Sequence, residues 1–208
     1  MEKETWRGGN MLYPVPPVMV SCQREGERPN ILTVAWAGTV CSSPAMVSIS
    51  VRPERYSYDI LRKTGEFAVN LTTRKLVRAA DFCGVRSGRD VDKFLEMHLT
   101  PVAGERIKAP VIGESPVSLE CRVTQVLELG SHHMFLAEVE AVRVDRSLLD
   151  GSGRLCLDRA DLVAYSHGNY HQLGEVLGSF GYSVRRKKRT GASAKTGRGR
   201  KTKEKGRS

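Results

Sequence analysis

The stretch PNILTVAWAGTVCSSP, residues 29–44, decides how this chain is read. It opens a run from Ile31 to Val51 in which no side chain is charged, and 21 such residues are long enough to cross a bilayer. A spanning helix needs about 20 predominantly apolar residues. This run instead carries Thr33, Thr39, Ser42, Ser43, Ser48 and Ser50 together with Gly38 and Pro44. Ser43-Pro44 divides it in two. The second piece, Met46 to Val51, alternates with a period of two over most of its length, as a half-buried strand does. The first, Ile31 to Val40, is rich in Thr, Val and Trp and is also strand-like. The run therefore predicts a pair of strands and no membrane span.

Working outward, Val18–Cys22 predicts a short strand joined to Ile31 onward by the polar loop Gln23–Pro29, a hairpin. Downstream, Ser57 is placed to cap a short helix, Tyr58–Lys63, that ends at Gly65. Phe67–Leu71 reads as a strand. Thr72 or Thr73 is placed to cap a second helix running to about Phe82, with Gly84 at its end, and Asp90 opens a third over Val91–Met97. In the C-terminal half Val117, Leu119, Cys121 and Val123 alternate with polar residues, as do Ala137, Val139 and Ala141, with Gly130-Ser131-His132 turning between the two strands. Many strands in up-and-down order, with short helices packed outside, predict a mainly β protein: a closed or split antiparallel barrel with peripheral helices.

Charge is distributed unevenly. The chain of 208 residues has a net charge of +10, yet residues 185–208 hold twelve Lys and Arg against the single acid Glu204, so residues 1–184 are close to neutral. The tail has no hydrophobic residue except Ala192 and Ala194 and is expected to be disordered. It would either make weak nonspecific contact with RNA, DNA or anionic lipid or serve as a solubilising extension, and without aromatics it has no platform for base stacking. The five cysteines, Cys22, Cys41, Cys83, Cys121 and Cys156, are odd in number, widely spaced and contain no C-x-x-C. That pattern fits free or buried thiols in a reducing cytoplasm. The opening MEKETWRGGN has alternating charges and no apolar core, so no secretory signal is evident.

No G-x-S-x-G, H-E-x-x-H, P-loop or G-x-G-x-x-G occurs. His167 and His171 are four apart, but Gly168 and Asn169 between them argue against a shared helix face, and no metal site is expected. What remains is Val51-Arg52-Pro53-Glu54-Arg55-Tyr56-Ser57, two arginines and a hydroxyl between an uncharged strand and a helix start. The arginine fork and a helix N-terminus both suit a phosphate dianion. Ala35, Ala37 and Gly38 are small enough to let a flat ring lie against the backbone. The same residues also fit ordinary strand packing with solvated arginines, and Trp36 fits core packing as well as a binding wall.

Three pieces in order resemble the flavin reductase-like family. They are Asn30-Ile31-Leu32-Thr33-Val34-Ala35-Trp36 with Ser43-Pro44, Val47–Val51, and Arg52-Pro53-Glu54-Arg55-Tyr56-Ser57. Gly84–Phe94, Gly130-Ser131-His132 and Tyr165–Gly168 add to the likeness, which covers about Met11 to Val184, within a group similar to flavoredoxins and archaeal ferric reductases. The resemblance implies an FMN-binding split β-barrel (antiparallel, Greek-key-like) at 11–184, which leaves an N-terminal extension at 1–10 and the basic tail at 185–208 outside it. It implies noncovalent FMN in a homodimer, with NAD(P)H as hydride donor and free flavin, ferric complexes or a protein as acceptor. Asn30, Trp36, Ala37, Gly38 and Thr39 would line the isoalloxazine and ribityl. Arg52, Arg55 and Ser57 would hold the phosphate, Ser87, Lys93 and His132 would close the site, and Tyr165 would add an aromatic wall. Lys93 would stabilise negative charge at the pyrimidine edge of the ring. His132 would be the residue that touches nicotinamide or substrate. Two alternatives accompany this expectation: an electron carrier that does not react with NAD(P)H, and a nucleic-acid-binding protein acting through its tail.

Overall fold

The structure, a computed structural model, describes residues 1–185, so the tail and the contacts expected of it lie outside the described residues except for Arg185. The chain divides into two units, Met1–Leu173 and the residues from Gly174 on. Among the described residues, every strand and all three α-helices belong to the first.

Seven strands form one antiparallel sheet: β1 (Val18–Cys22), β2 (Asn30–Val34), β3 (Ala37–Ser42), β4 (Ala45–Val51), β5 (Glu66–Leu71), and two long strands. Between β5 and the long strands lies a two-stranded ribbon, β6 (Pro101–Val102) and β7 (Val111–Ile112). The long strands are β8 (Val117–Leu129) and β9 (His132–Val144), and a separate hairpin follows, β10 (Val163–Ser166) with β11 (Asn169–Gln172).

The strand order is β2-β1-β5-β8-β9-β4-β3. Its two edges, β2 and β3, are consecutive in the chain and separated only by Ala35 and Trp36. In a flat sheet, strands about 4.8 Å apart would put these edges about 29 Å from each other. The three Cα steps from Val34 to Ala37 reach at most about 11 Å. The sheet must therefore roll up, and it does so into a split barrel; Ser50 N–H donates to Trp36 C=O at 2.8 Å, which carries the β3–β4 ladder up to the link between the two edges. The uncharged run at 31–40 is thus two strands at opposite edges, not the one strand that its composition predicts. Composition is the same on both sides of the break; the partners differ, β1 for one piece and β4 for the other. Nor is the order a simple up-and-down meander, since β1 pairs with β5 and β4 with β9.

Alternation sorts the side chains. Val18, Val20 and Cys22 of β1 and Leu32 and Val34 of β2 face the barrel interior, with Ile49, Val51, Phe67, Phe135 and Ala137. Met19 and Ile31 point the other way, under the outer helices, so β1 is buried on both faces. Helix α1 (Tyr56–Thr64) adds Ile60 and Leu61 to the interior cluster, whereas α2 (Val77–Val85) packs outside with Ala79, Ala80 and Cys83 against Met19 and Ile31. Both helices are peripheral, as expected, and α1 turns only its Ile60–Leu61 face to the interior cluster.

Helix boundaries depart from the sequence pattern in identifiable ways. Gly65 ends α1 as expected, in the left-handed conformation (φ 67°) with its N–H on Leu61 C=O. Ser57, expected as the cap, sits inside α1 and is buried; its hydroxyl accepts from Asn30 Nδ2 at 2.7 Å. Gly84 lies inside α2, one residue before its end, where helix and sheet approach closely: a Cβ there would come 3.3 Å from Thr33 Cβ. The third helix, α3, is only Lys93–Glu96 and is capped by Asp92, whose carboxylate accepts from Phe94 and Leu95 N–H, rather than by Asp90.

Candidate functional site

The turn leaving β4 brings Arg52 and Arg55 to the start of α1. Arg55 is the N-cap residue, extended at φ −69° and ψ 138°, and no side chain caps the helix. The first-turn N–H groups of α1 therefore lack a side-chain acceptor and point, with the positive end of the helix dipole, toward whatever lies beyond. Beyond lies a cleft of about 170 Å³ whose lining includes Asn30, Arg52, Arg55, Ser57, Arg86, Ser87, Arg89 and Lys93. Five cations face one acid, Glu54, which is paired with Arg52 at 3.1 Å. The arrangement is a receptor for a compact, multiply charged anion.

Arg52, Arg55 and Leu32 also line a second cleft of about 140 Å³, whose other walls are Thr33–Trp36, Ser50, Val51 and His132. Ala35, Trp36 and Ser50 are in turn shared with a wider groove of about 600 Å³ lined by Gly9–Leu12, Val15, Ala37–Val40, Ser48 and Met134. Three clefts thus share walls in series along the seam of the barrel, cationic at one end and apolar at the other. The line follows the link between β2 and β3, Ala35 and Trp36, together with Ser50 near the end of β4, all of which wall both the second cleft and the groove.

Electrostatics follow from burial. Lys93 is 2% exposed, and its ammonium donates to Ile31 C=O at 2.7 Å and Cys83 C=O at 2.8 Å. Burial pulls its pKa down to about 8, with Arg55 adding to the effect and the neighbouring thiols opposing it. An ammonium carries three donors, so one remains for the cleft that Lys93 lines. Burial lowers the pKa of His132, and the Arg52 and Arg55 charges lower it further against the opposing pull of Glu54. Its imidazole is therefore neutral near pH 7, with Nδ1 2.9 Å from Ser131 Oγ. Desolvation holds the thiols of Cys22 and Cys121 up to about 12 and that of Cys83 to about 11, which leaves them unreactive.

The site residues expected from sequence separate into groups. Asn30, Arg52, Arg55, Ser57, Ser87 and Lys93 gather at the cationic cleft, so Asn30 is at the anion end rather than beside Trp36, and Lys93, expected at the pyrimidine edge of the ring, lines the anion end as well. Trp36 and His132 share the middle cleft, and Ala37, Gly38 and Thr39 line the apolar groove. Trp36 is half-buried and belongs to no core cluster. Tyr165 lines none of the three clefts; it stacks behind Tyr13, whose ring is 6.4 Å from it and 6.1 Å from Trp36. Arg86 and Arg89, within the Gly84–Phe94 stretch that adds to the likeness, and the segment Gly9–Leu12 were not singled out as site residues, because only the tertiary structure carries them to the clefts. Cys41 is half-buried on edge strand β3. Among the described residues no group of three His, Cys, Asp or Glu side chains is placed to hold a metal ion, and no helix is long and apolar enough to cross a membrane.

Comparison with known proteins places these observations. Residues 10–174 match the family model of the flavin reductase like domain. A protein of Aeropyrum pernix is 38% identical over 133 residues, 64% of this chain but only 50% of its own length. The NADPH-flavin oxidoreductase of Streptomyces viridifaciens is 28% identical over 71% of both chains. Among solved structures, flavoredoxin of Desulfovibrio vulgaris (Miyazaki F) superposes with a TM-score of 0.82 and 33% identity, covering 88% of this chain and all of the other.

Proposed function

Because this chain belongs to the flavin reductase like family, we propose that it is an oxidoreductase that binds FMN noncovalently and uses NAD(P)H to reduce flavin, ferric complexes or a protein partner. The observation that carries the reading is the continuity of the clefts: a cationic cleft at an uncapped helix start shares Arg52 and Arg55 with a cleft walled by Trp36 and His132. The residues fit FMN. Four arginines, Lys93, two serine hydroxyls and free helix N–H groups match a phosphate dianion. Small residues at Ala35, Ala37 and Gly38 leave room for a flat ring at the other end.

Bound there, FMN supplies hydride and single-electron chemistry. The chain's own residues bind, orient and shield. Arg52, Arg55 and Ser57 hold the phosphate, with Asn30 fixing the Ser57 hydroxyl. Trp36 walls one side of the middle cleft and excludes water from it. His132, neutral near pH 7, offers a hydrogen-bonding group to the second ligand without a charge that would repel Arg52 and Arg55 further. Lys93 adds a buried positive charge to the phosphate end. A homodimer belongs to the same reading: edge strand β3 is uncharged and largely exposed, with Val40 open to solvent, and a second copy would cover it.

The absorbance spectrum of the purified protein tests the flavin assignment; a colourless protein that takes up no FMN rules it out. The likeness to flavoredoxin favours one alternative, an electron carrier without direct NAD(P)H oxidation. Stopped-flow mixing with NADH and NADPH separates the two, because the reductase bleaches the flavin band and the carrier leaves it unchanged.

A further inference from the structure

We infer that Gly88 and Tyr56 are positioning residues for the anion cleft: the missing side chain of Gly88 lets the Arg86–Arg89 loop close against the start of α1. This rests on the FMN reading above and goes beyond it, since neither residue is needed as a ligand. Gly88 is buried, and its backbone has no left-handed φ, so conformational freedom is not what it supplies. It supplies space. A Cβ on Gly88 would lie 2.1 Å from Asn30 Oδ1 and 2.7 Å from Cδ1 of the Tyr56 ring. Neither contact is tolerable, and neither neighbour is free to give. Asn30 is buried and its amide is committed to Ser57 Oγ at 2.7 Å. The Tyr56 ring is held by two guanidinium groups, Arg89 at 5.5 Å and Arg24 at 6.0 Å from its centroid.

The loop is pinned at the same point from the other side. Arg28 Nη2 donates to Gly88 C=O at 2.8 Å, and Arg89 reaches Glu54 C=O at 3.4 Å. Gly88 is thus the contact at which the loop after α2 meets the hairpin that carries Asn30 and the turn that carries Arg55. On one side of it are Ser57 and Asn30; next to it in sequence is Ser87, which faces the cleft. Adding one methyl group must push the loop outward, and Arg86, Ser87 and Arg89 leave with it. The ring end of the site, around Trp36 and Thr39, shares no residue with that loop.

The inference therefore makes a distinction by ligand. FMN carries a phosphate and riboflavin does not, so the ratio of their affinities reads the anion cleft alone. Both dissociation constants are measured by flavin fluorescence for the full chain, Gly88→Ala and Tyr56→Leu, with the thermal midpoint of each apoprotein recorded. Expected is a wild-type preference for FMN that shrinks about ten- to a hundredfold in Gly88→Ala, the equivalent of one or two lost charge-assisted contacts. Riboflavin affinity should hardly change. Tyr56→Leu removes the ring under the loop without adding an atom, so it decides the matter should Gly88→Ala fail to fold; the same loss of preference is expected. A folded variant that keeps the wild-type preference overturns the inference alone. A wild-type protein that binds FMN no better than riboflavin overturns the phosphate assignment of the cleft and this inference with it.

Discussion

At the scale of single residues, the site is organised by charges that differ in how they can respond to pH. Arginines stay charged throughout the accessible range. Lys93 does not: its pKa, lowered to about 8 by burial, means that its charged form is disfavoured by the fold. The cost is fully present below about pH 8 and is relieved as pH rises through that value, so the fold itself gains from deprotonation. A bound dianion acts in the opposite sense, because it favours the ammonium. FMN affinity should accordingly fall as pH rises through about 8, with a proton taken up on binding above that pH. Lys93→Met should flatten the profile in isothermal titrations across pH 7–9.5. Arg55→Ala removes a charge-assisted phosphate contact, and a loss of about 1.5–3 kcal/mol in FMN affinity is expected; unchanged affinity would remove Arg55 from the site. Trp36→Ala should shift the visible flavin spectrum, whereas a change confined to the melting temperature would assign Trp36 to packing.

At the scale of elements, what positions these residues is a set of short, defined junctions. The β8–β9 hairpin turns at Gly130, in the left-handed region at φ 48°, and delivers His132 as the first residue of β9. Its neighbour His133 faces the other way and meets Tyr58 Oη at 2.7 Å, which ties the tip of the hairpin to α1. Helix α1 in turn ends where Gly65 adopts φ 67° with open space where a side chain would go. Gly65→Ala should therefore cost about 1–2 kcal/mol through backbone strain alone, read as a lower denaturation midpoint with an unchanged m-value. The same reasoning explains why Ser57 misleads as a cap. A serine before an apolar run is a start signal, but here the cap is Arg55 and the helix begins at Tyr56, two residues earlier than expected, and the buried hydroxyl has Asn30 as its partner.

At the scale of the whole molecule, the barrel interior sets stability. Phe135 and Phe67 are fully buried and face each other's cluster from β9 and β5, so Phe135→Ala should cost about 3–5 kcal/mol in chemical denaturation. Alternation over Met46–Val51, Val117–Val123 and Ala137–Ala141 already marked half-buried strands, because a period of two places every second residue on one face whatever its neighbours are, and the many strands in up-and-down order pointed to a mainly β protein. The sequence also determined the pairing of two arginines and a hydroxyl with a helix start, since that signal is local. The break at Ala35-Trp36, the burial of Lys93 between two carbonyls, the arrival of Arg86 and Arg89 at the cleft and the retreat of Tyr165 behind Tyr13 were decided only by the tertiary structure. Each depends on which distant strand or loop becomes a neighbour, and no residue's own propensity encodes that. Seven strands had to roll until two adjacent residues could join opposite edges, and the seam left by that closure is where the clefts lie.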